Sequence, residues 1–378
     1  MARKLNNNLT AAQKTSYLCF FTYGVVILIY LVMQGLITTG SITSSLKGML
    51  IPICAYIVMA VSLNLTVGIL GELSLGHAGF MSVGAFTGVT AAIALQNVVP
   101  SNSLRLLIGL VVGAAFAAFA GFLIGIPVLR LKGDYLAIVT LAFGEILRNI
   151  LQNLYVGNAD GVVRFAFSDQ PPEWKANIVN GAVGTRIPMD NKIATFLMSF
   201  ILVLFTLFVV FNIINSKEGR AIKAVRDNRI AAESVGINVT AFRMKAFVIS
   251  ATLAGMAGAM YGLDMTNVAP TKLGYNESIN ILVFVVLGGL GNILGSVISA
   301  TVLYILPEIM KKMALEGNGA MAGVAGFVEK YRMLLYAAIL IILMICTWSP
   351  KVKSKISAFT ANIKKLLFGK KKEVGEDA

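Results

Sequence analysis

The sequence predicts an all-α integral membrane protein, a polytopic helical bundle of about 8–10 spans. Of its 378 residues, 57% are hydrophobic and 13% are charged, and the mean hydropathy is +0.79. A soluble domain has roughly 45–50% apolar and about 25% charged residues. Long apolar runs leave no polar face on the helices that they form, and the basic residues lie between or beyond these runs. These observations exclude a soluble enzyme, a disordered chain and a secreted disulfide scaffold.

The apolar runs define the spans in order. A helix needs ~20 residues to cross about 30 Å of hydrocarbon. Eight stretches of suitable length lie at 18–38, 49–69, 78–96, 105–128, 135–155, 193–214, 245–265 and 333–349. Small residues four apart, such as Gly109/Gly113 and Gly258/Gly262, predict that these helices pack closely.

Charge orients the bundle. Residues 1–17, 215–245 and 346–378 supply 12 of the 14 net positive charges, and basic loops lie in the cytoplasm. Residues 156–192 carry four acids and four bases. We therefore predict an external loop at 156–192, with both termini, the loop 215–244 and a basic tail at 351–378 in the cytoplasm. A DNA-binding protein is excluded because no separate basic domain exists.

The ninth apolar stretch, 278–306, is too long for one span. Gly288-Gly289-Leu290-Gly291-Asn292 divides it into two pieces, and one further crossing would place the lysine-rich tail outside. We therefore predict a re-entrant pair of half-helices that enters and leaves on the outer face. Broken helices are tolerated at membrane depth only where they are buried in protein or line a cavity.

Several kinds of chemistry are not supported by the sequence. The three cysteines lie in apolar runs and His77 is the only histidine, so no metal site is expected. No Gly-x4-Gly-Lys-[Ser/Thr] phosphate loop occurs. We therefore expect no cofactor in this chain, no nucleic-acid partner and no enzymatic activity.

The basic loop 215–244 is predicted to form two short helices. Ala221, Ala224 and Val225 give the first helix one small apolar face, and Gly236 ends the second, Ile230–Val235. Such a pair suits docking into a groove of a partner. A solvated amphipathic loop is the alternative.

Four motifs resemble a known family. Ile230-Ala-Ala-Glu-Ser-Val-Gly236 fits the Ala-Ala-x-x-x-Gly core of the coupling loop of ABC-importer permeases. The segments that begin Ser62-Leu-Asn-Leu-Thr-Val-Gly, Lys132-Gly-Asp-Tyr-Leu-Ala and Val286-Leu-Gly-Gly-Leu-Gly-Asn are similar to signatures of branched-chain amino acid permeases of the LivM type. The resemblance covers about residues 50–350 and implies one transmembrane permease domain over 1–350.

The resemblance implies a subunit of an importer in the bacterial inner membrane. Its partners would be a related second permease, two cytoplasmic ATPases that bind ATP and Mg, and a periplasmic binding protein. The residues that it implies for ATPase coupling are Arg220, Arg226, Ile230, Ala231, Ala232, Glu233 and Gly236. Branched-chain amino acids are the implied cargo, and urea, short amides and other amino acids stay open.

Charged and flexible residues near membrane depth mark a candidate translocation path or gate. Glu145 and Arg148 lie one helical turn apart, and an intramembrane ion pair is a functional hypothesis by default; a purely structural pair is the alternative. Glu72 and His77 flank the turn between the second and third spans, which we place near the cytoplasmic face. A neutral His77 bonded to a backbone carbonyl is expected. The remaining candidates are Gly289 and Gly291.

A second class of function is an ion-coupled secondary transporter. Such carriers use carboxylates or unwound carbonyls at the midplane, which Glu145 and the broken stretch would supply. A carrier that works alone, however, has no need of the long basic helix pair in the cytoplasm.

Overall fold

The computed structural model describes residues 11–39, 44–96, 98–131, 133–159, 162–167, 176–186, 193–265, 267–316 and 338. The chain divides into two units, residues 1–306 and 307–378. The described part of the second unit is the end of one helix, up to Glu316, and the helical residue Ala338. The sites discussed below lie in the first unit.

The helices account for most of the described residues. In chain order they are α1 Ala11–Thr38, α2 Ser44–Asn64, α3 His77–Ala94, α4 Asn102–Val128, α5 Asp134–Gln152, α6 Phe196–Asn215, α7 Lys217–Asp227, α8 Arg229–Ser234, α9 Val239–Asp264, α10 Tyr275–Gly288 and α11 Ile293–Glu316. A π-helical turn, Leu65–Leu70, continues α2 and is called the π turn below.

Six of these helices are long and apolar enough to cross a membrane, namely α1, α2 with the π turn, α3, α4, α6 and α9. They coincide with six of the eight predicted spans and confirm an all-α polytopic membrane protein. The predicted span 135–155 is α5, which is more amphipathic than the others. The predicted span 333–349 and the basic tail lie outside the described residues, apart from Ala338.

The stretch 278–306 is broken where the glycines predicted a break. α10 ends at Gly288, and Gly289 and Gly291 have φ of +93° and +81°, a backbone conformation that glycine adopts readily. The segment Gly289–Asn292 is called the half-helix break below. With 14 residues, α10 is about 21 Å long and too short to span the hydrocarbon alone. The break is confirmed, and the face from which the pair enters stays a prediction.

One small antiparallel sheet was not predicted. Its strands are β1 Leu154–Ala159, β2 Val162–Phe167, β3 Ala176–Asn180, β4 Thr185–Arg186 and β5 Asn267–Val268, in the order β2-β1-β3-β4-β5. Thr185 pairs with Val268 and Arg186 with Asn267. The sheet thus joins the predicted external loop 156–192 to the segment after α9, which the topology also places outside.

The core is built around α2. Its apolar window is wholly buried, whereas only about a tenth of the α1 window is buried, so α1 lies at the periphery. Stacked rings attach α1 to α6, with the centroids of Tyr30 and Phe200 4.0 Å apart.

Glycines allow α3, α4 and α9 to touch along their backbones. A Cβ added to Gly84 would lie 2.1 Å from the carbonyl oxygen of Gly255, and one added to Gly113 would lie 2.8 Å from that of Gly84. A Cβ added to Gly258 would lie 1.9 Å from the carbonyl oxygen of Met81. These residues form the glycine seam of the bundle, and they confirm the close packing predicted from the small-residue spacing.

Candidate functional site

The loop 215–244 folds as a hairpin of two helices, α7 and α8, which we call the α7–α8 hairpin and which ends at Gly236. Side chains that favour N-caps start each helix. Ser216 accepts from the N–H of Gly219, and Asn228 accepts from that of Ala231, both at 3.1 Å. Gly236 has φ +83°, which ends the hairpin as predicted.

The inner face of the hairpin is a small apolar cluster of Val225, Ala232 and Val239, with Ile237 packed against it. Ala232 is only 3% exposed. Its methyl group packs in the contact between α8 and the start of α9, so it faces inward, and its part in ATPase coupling stays a prediction. Ala231, next to it, is exposed.

Two large apolar side chains of the hairpin are exposed, and one of them, Ile230, also lines the cavity described below. Ile230 is 79% exposed and Val235 is 74% exposed. On the same short helix as Ile230, Glu233 accepts from Arg229 at 3.0 Å, and on α7 Arg220 donates to the carbonyl of Asn215 at 3.4 Å. Exposed apolar side chains of this size make the hairpin a candidate surface for a protein partner.

Arg226 points the other way, toward the membrane bundle. Its Nη1 donates to the carbonyl oxygen of Gly68 in the π turn at 3.2 Å. A Cβ added to Gly71 would lie 2.6 Å from Cγ of Arg226, so the arginine stem lies directly on the turn. The guanidinium also donates to Asp227, at 3.0 Å. Arg226 thus joins the hairpin to the second span.

The π turn lies against the half-helix break. Asn64, at the end of α2, accepts from the N–H of Gly291 at 2.8 Å and donates to Ser296 Oγ at 2.8 Å. A Cβ added to Gly68 would lie 2.3 Å from the nitrogen of Gly291. The predicted gate residue Gly291 is therefore in main-chain contact with the second span. Gly289 makes no comparable close contact.

Glu72 is held by Arg243 of α9 through a hydrogen-bonded ion pair. Arg243 also donates to the carbonyl oxygens of Leu129 and Leu131, at 2.6 and 3.3 Å. Burial raises the pKa of Glu72 above its ordinary value, and the charges of Arg243 and Arg229 oppose this shift. One oxygen of Glu72, Oε2, is buried and has no hydrogen-bond partner among the described residues.

A cavity of about 500 Å³ separates the α7–α8 hairpin from the bundle beside this ion pair. Its charged lining residues are Glu72, Asp134, Arg226, Arg229 and Arg243. The hairpin is therefore not packed flat against the bundle on this side.

His77, the first residue of α3, is buried at 2% exposure. Its Nε2 lies 2.8 Å from Oγ of Ser62. The expected backbone-carbonyl partner is thus wrong, and a hydroxyl of the second span takes that place. Glu72 and His77 are close in sequence but have different partners.

Glu145 and Arg148 form the predicted ion pair on α5, with Nε 2.7 Å from Oε2 and both side chains half-buried. Glu145 has a second partner, since its Oε1 accepts from the main-chain N–H of Tyr275 at 2.9 Å. This ion pair therefore lies at the start of α10, whereas Asn64 contacts the break that follows the end of α10.

A family model described as "Branched-chain amino acid transport system / permease component" matches residues 45–344. The chain belongs to this permease family. It is 34% identical over 307 residues to the high-affinity branched-chain amino acid transport system permease proteins LivM of Salmonella typhimurium and Escherichia coli, covering 78% of this chain and 67% of each relative. It is 25% identical over 252 residues to LivH of Salmonella typhimurium, covering 66% of this chain and 79% of that relative. No solved structure matches the chain.

Membership of the family makes this a multi-pass membrane transport protein and not an enzyme. The permease brings the sequence-predicted residues into two groups. Arg226 and Gly291 both meet the π turn at Gly68, while Glu145 and Arg148 lie apart from them at Tyr275. His77 belongs to neither group.

Sequence reasoning missed Asn64, Arg243 and Tyr275. Asn64 and Arg243 carried a usable signal, because an amide within an apolar run and an arginine near the start of a span both need a buried partner. Tyr275 contributes only its main-chain N–H, which carries no sequence signal.

Proposed function

We propose that this permease is the membrane subunit of an ATP-binding-cassette importer for branched-chain amino acids. It lies in the bacterial inner membrane with both termini in the cytoplasm. Cytoplasmic ATPases supply the energy and bind ATP and Mg, and a periplasmic binding protein delivers the cargo. The 34% identity to LivM supports the cargo, and the weaker similarity to LivH supports a related second permease as partner.

The main structural support for an ATP-driven transporter is the pair of exposed apolar side chains on the α7–α8 hairpin, Ile230 and Val235. Docking would remove the exposed apolar surface of Ile230 and Val235 from water. Full burial of one such side chain stabilises a complex by roughly 1.5–3 kcal/mol. Capped helices and the Val225–Ala232–Val239 cluster hold both side chains in place. A preformed surface reduces the ordering cost of docking.

The path is proposed to run beside α5 and the half-helix pair. α5 carries the Glu145–Arg148 ion pair, and the half-helix break separates α10 from α11. Charged side chains at membrane depth face protein or water-filled cavities rather than lipid. Glu145, Arg148, Gly289 and Gly291 are the proposed path residues, with Glu72 and His77 supporting the second and third spans.

A second candidate cargo is a nucleoside. The chain is 26% identical over 202 residues to the nucleoside ABC transporter permease protein NupC of Lactococcus lactis, covering 50% of this chain and 58% of that relative. The longer match to LivM favours amino acids. Family membership likewise favours an importer subunit over an ion-coupled carrier.

The test is to purify the permease in mild detergent from its host and then reconstitute the assembly with its binding protein in liposomes. We expect two ATPase subunits and a second permease to co-purify, and labelled leucine uptake to require internal ATP. Ile230→Asp should abolish ATPase association while Ile230→Leu retains it. Uptake that survives ATP depletion but stops when ion gradients are collapsed would show a secondary carrier instead.

A further inference from the structure

The π turn touches two separate functional elements. The guanidinium of Arg226 in the α7–α8 hairpin donates to the carbonyl oxygen of Gly68. The N–H of Gly291 in the half-helix break also lies against Gly68 and donates to Asn64. One residue, Gly68, therefore contacts both the hairpin and the break through its backbone.

The contact with the break is specific. The Asn64 side chain is fully buried and makes three hydrogen bonds to the break and to the first turn of α11, accepting from Gly291 and donating to Asn292 O at 3.2 Å and Ser296 Oγ at 2.8 Å. All of its polar atoms are thereby used. Movement of the end of α2 must carry the break with it or sever bonds that buried groups cannot replace with water.

The turn itself is an unusual conformation. π-helical turns are rare and frequently occur at functional sites. Here the wide turn closes through the N–H of Gly71, which donates to the carbonyl of Thr66, and Gly71 has φ +81°. A glycine in the left-handed conformation follows the turn, so the chain reverses direction directly beneath Arg226.

A cavity lies beside the hairpin at this place. The cavity of about 500 Å³ lies between the hairpin and residues 70–73 and 133–136, with Arg226 on its wall. If the hairpin moved toward the bundle, part of it would enter this cavity, and Arg226 would press on Gly68.

We propose that the π turn transmits movement of the α7–α8 hairpin to the half-helix break, with Arg226 and Asn64 as the positioning residues. The inference deepens the proposed function and rests on it, since it takes the hairpin to be the ATPase contact. It adds a route for the movement, which passes from the hairpin through Arg226 to Gly68 and then through Asn64 to Gly291.

The test measures leucine molecules taken up per ATP hydrolysed by the reconstituted importer. Arg226→Ala should leave ATPase co-purification intact and lower this ratio about tenfold, which corresponds to the loss of one hydrogen bond to a charged group. Arg226→Lys should restore part of the ratio, because an ammonium can still donate to the Gly68 carbonyl. Lys223→Ala is the matched control, as Lys223 lies one turn away and bonds to the carbonyl of Ile214.

The contact between Asn64 and the half-helix pair is tested with Ser296→Ala, which removes one of the three Asn64 hydrogen bonds and leaves the buried amide in place. The uptake-to-hydrolysis ratio should also fall in this variant, by about three- to tenfold for one neutral hydrogen bond. Arg226 and Ser296 act on the same turn, so the double variant should be no worse than the Arg226→Ala variant.

Three outcomes overturn the inference. If Arg226→Ala has the same uptake-to-hydrolysis ratio as Lys223→Ala in an assembly that still contains its ATPases, the route is wrong while the proposed function stands. Independent, multiplicative effects of Arg226→Ala and Ser296→Ala would likewise refute a shared route. If the wild-type permease brings no ATPase, the proposed function fails and the inference fails with it.

Discussion

The carboxylate of Glu145 caps a half-helix through Tyr275. Oε1 of Glu145 lies 2.9 Å from the main-chain nitrogen of Tyr275, the first residue of α10, although the two are 130 positions apart. The preceding residue, Gly274, has no side chain with which to cap the helix. A negative charge at a helix N-terminus is also favourable. Glu145 therefore ties α5 to the broken stretch, beyond its pairing with Arg148.

This contact makes the substitutions at Glu145 distinguishable. Glu145→Gln keeps an acceptor for the Tyr275 N–H but leaves Arg148 without its counter-charge, so uptake should fall. Adding Arg148→Gln should restore part of it, because no half-buried charge is then unpaired. Glu145→Ala loses the cap as well and should be less stable than Glu145→Gln by about 0.5–2 kcal/mol. Thermal unfolding of the purified permease in detergent measures this, and equal stability of the Ala and Gln variants would contradict the capping role.

The hairpin offers a matched pair of substitutions. Ala232→Trp places a large side chain inside the Val225–Ala232–Val239 cluster, so we expect it to disorder the hairpin and increase its cleavage by protease. Ile230→Asp changes an exposed position, so protease resistance should stay at the wild-type level while ATPase association is lost. Limited proteolysis in membranes, followed by co-purification, separates the two. A protease-resistant Ala232→Trp variant would contradict the buried position.

Topology is tested by cysteine labelling in a cysteine-free background. Val183 in the loop 156–192 and Ser234 in the hairpin are both exposed. With an impermeant reagent on intact cells, Val183→Cys should react and Ser234→Cys should react only after permeabilisation. The reverse pattern would invert the orientation that the basic loops predict.

Glu72 predicts a pH effect on stability. Its pKa is raised by burial, so the folded state binds a proton that the unfolded state has released, and stability falls as pH rises above the ordinary carboxyl value of about 4.3. Glu72→Gln should remove this part of the pH dependence. Unfolding midpoints between pH 4 and 7 measure it, with Glu218→Gln, which alters an exposed pair with Lys245, as control. An unchanged slope in the Glu72→Gln variant would contradict the direction of the shift.

Hydropathy, charge and glycine placement were sufficient to predict much of this permease. Six spans, the break at Gly289–Asn292 and the two short helices before Gly236 each follow from a local pattern. The Glu145–Arg148 pair was equally accessible, since residues at i and i+3 on a helix lie side by side.

The long-range contacts were not accessible in the same way. Asn64 and Gly291 are 227 positions apart, and nothing in either segment specifies the other. The π turn has an ordinary apolar sequence, Leu65-Thr-Val-Gly-Ile-Leu70, which predicts α-helix. The strands of the small sheet were missed because main-chain pairing between segments, such as Thr185 with Val268, leaves no clear periodicity in short loops. The orientation of Ala232 depended on the packing of α9, which the loop sequence does not contain.

The glycine seam has a consequence for genetics. A crowded side chain can rotate to another rotamer, but the backbones of α3, α4 and α9 meet with no side chain between them at Gly84 and Gly255. An alanine at either position must push two helices apart. Alleles of this kind, recovered in a screen for lost uptake, would mark failed assembly and degradation of the protein rather than the route of the cargo. Steady-state abundance in the membrane is therefore the measurement with which any such collection of alleles should first be sorted.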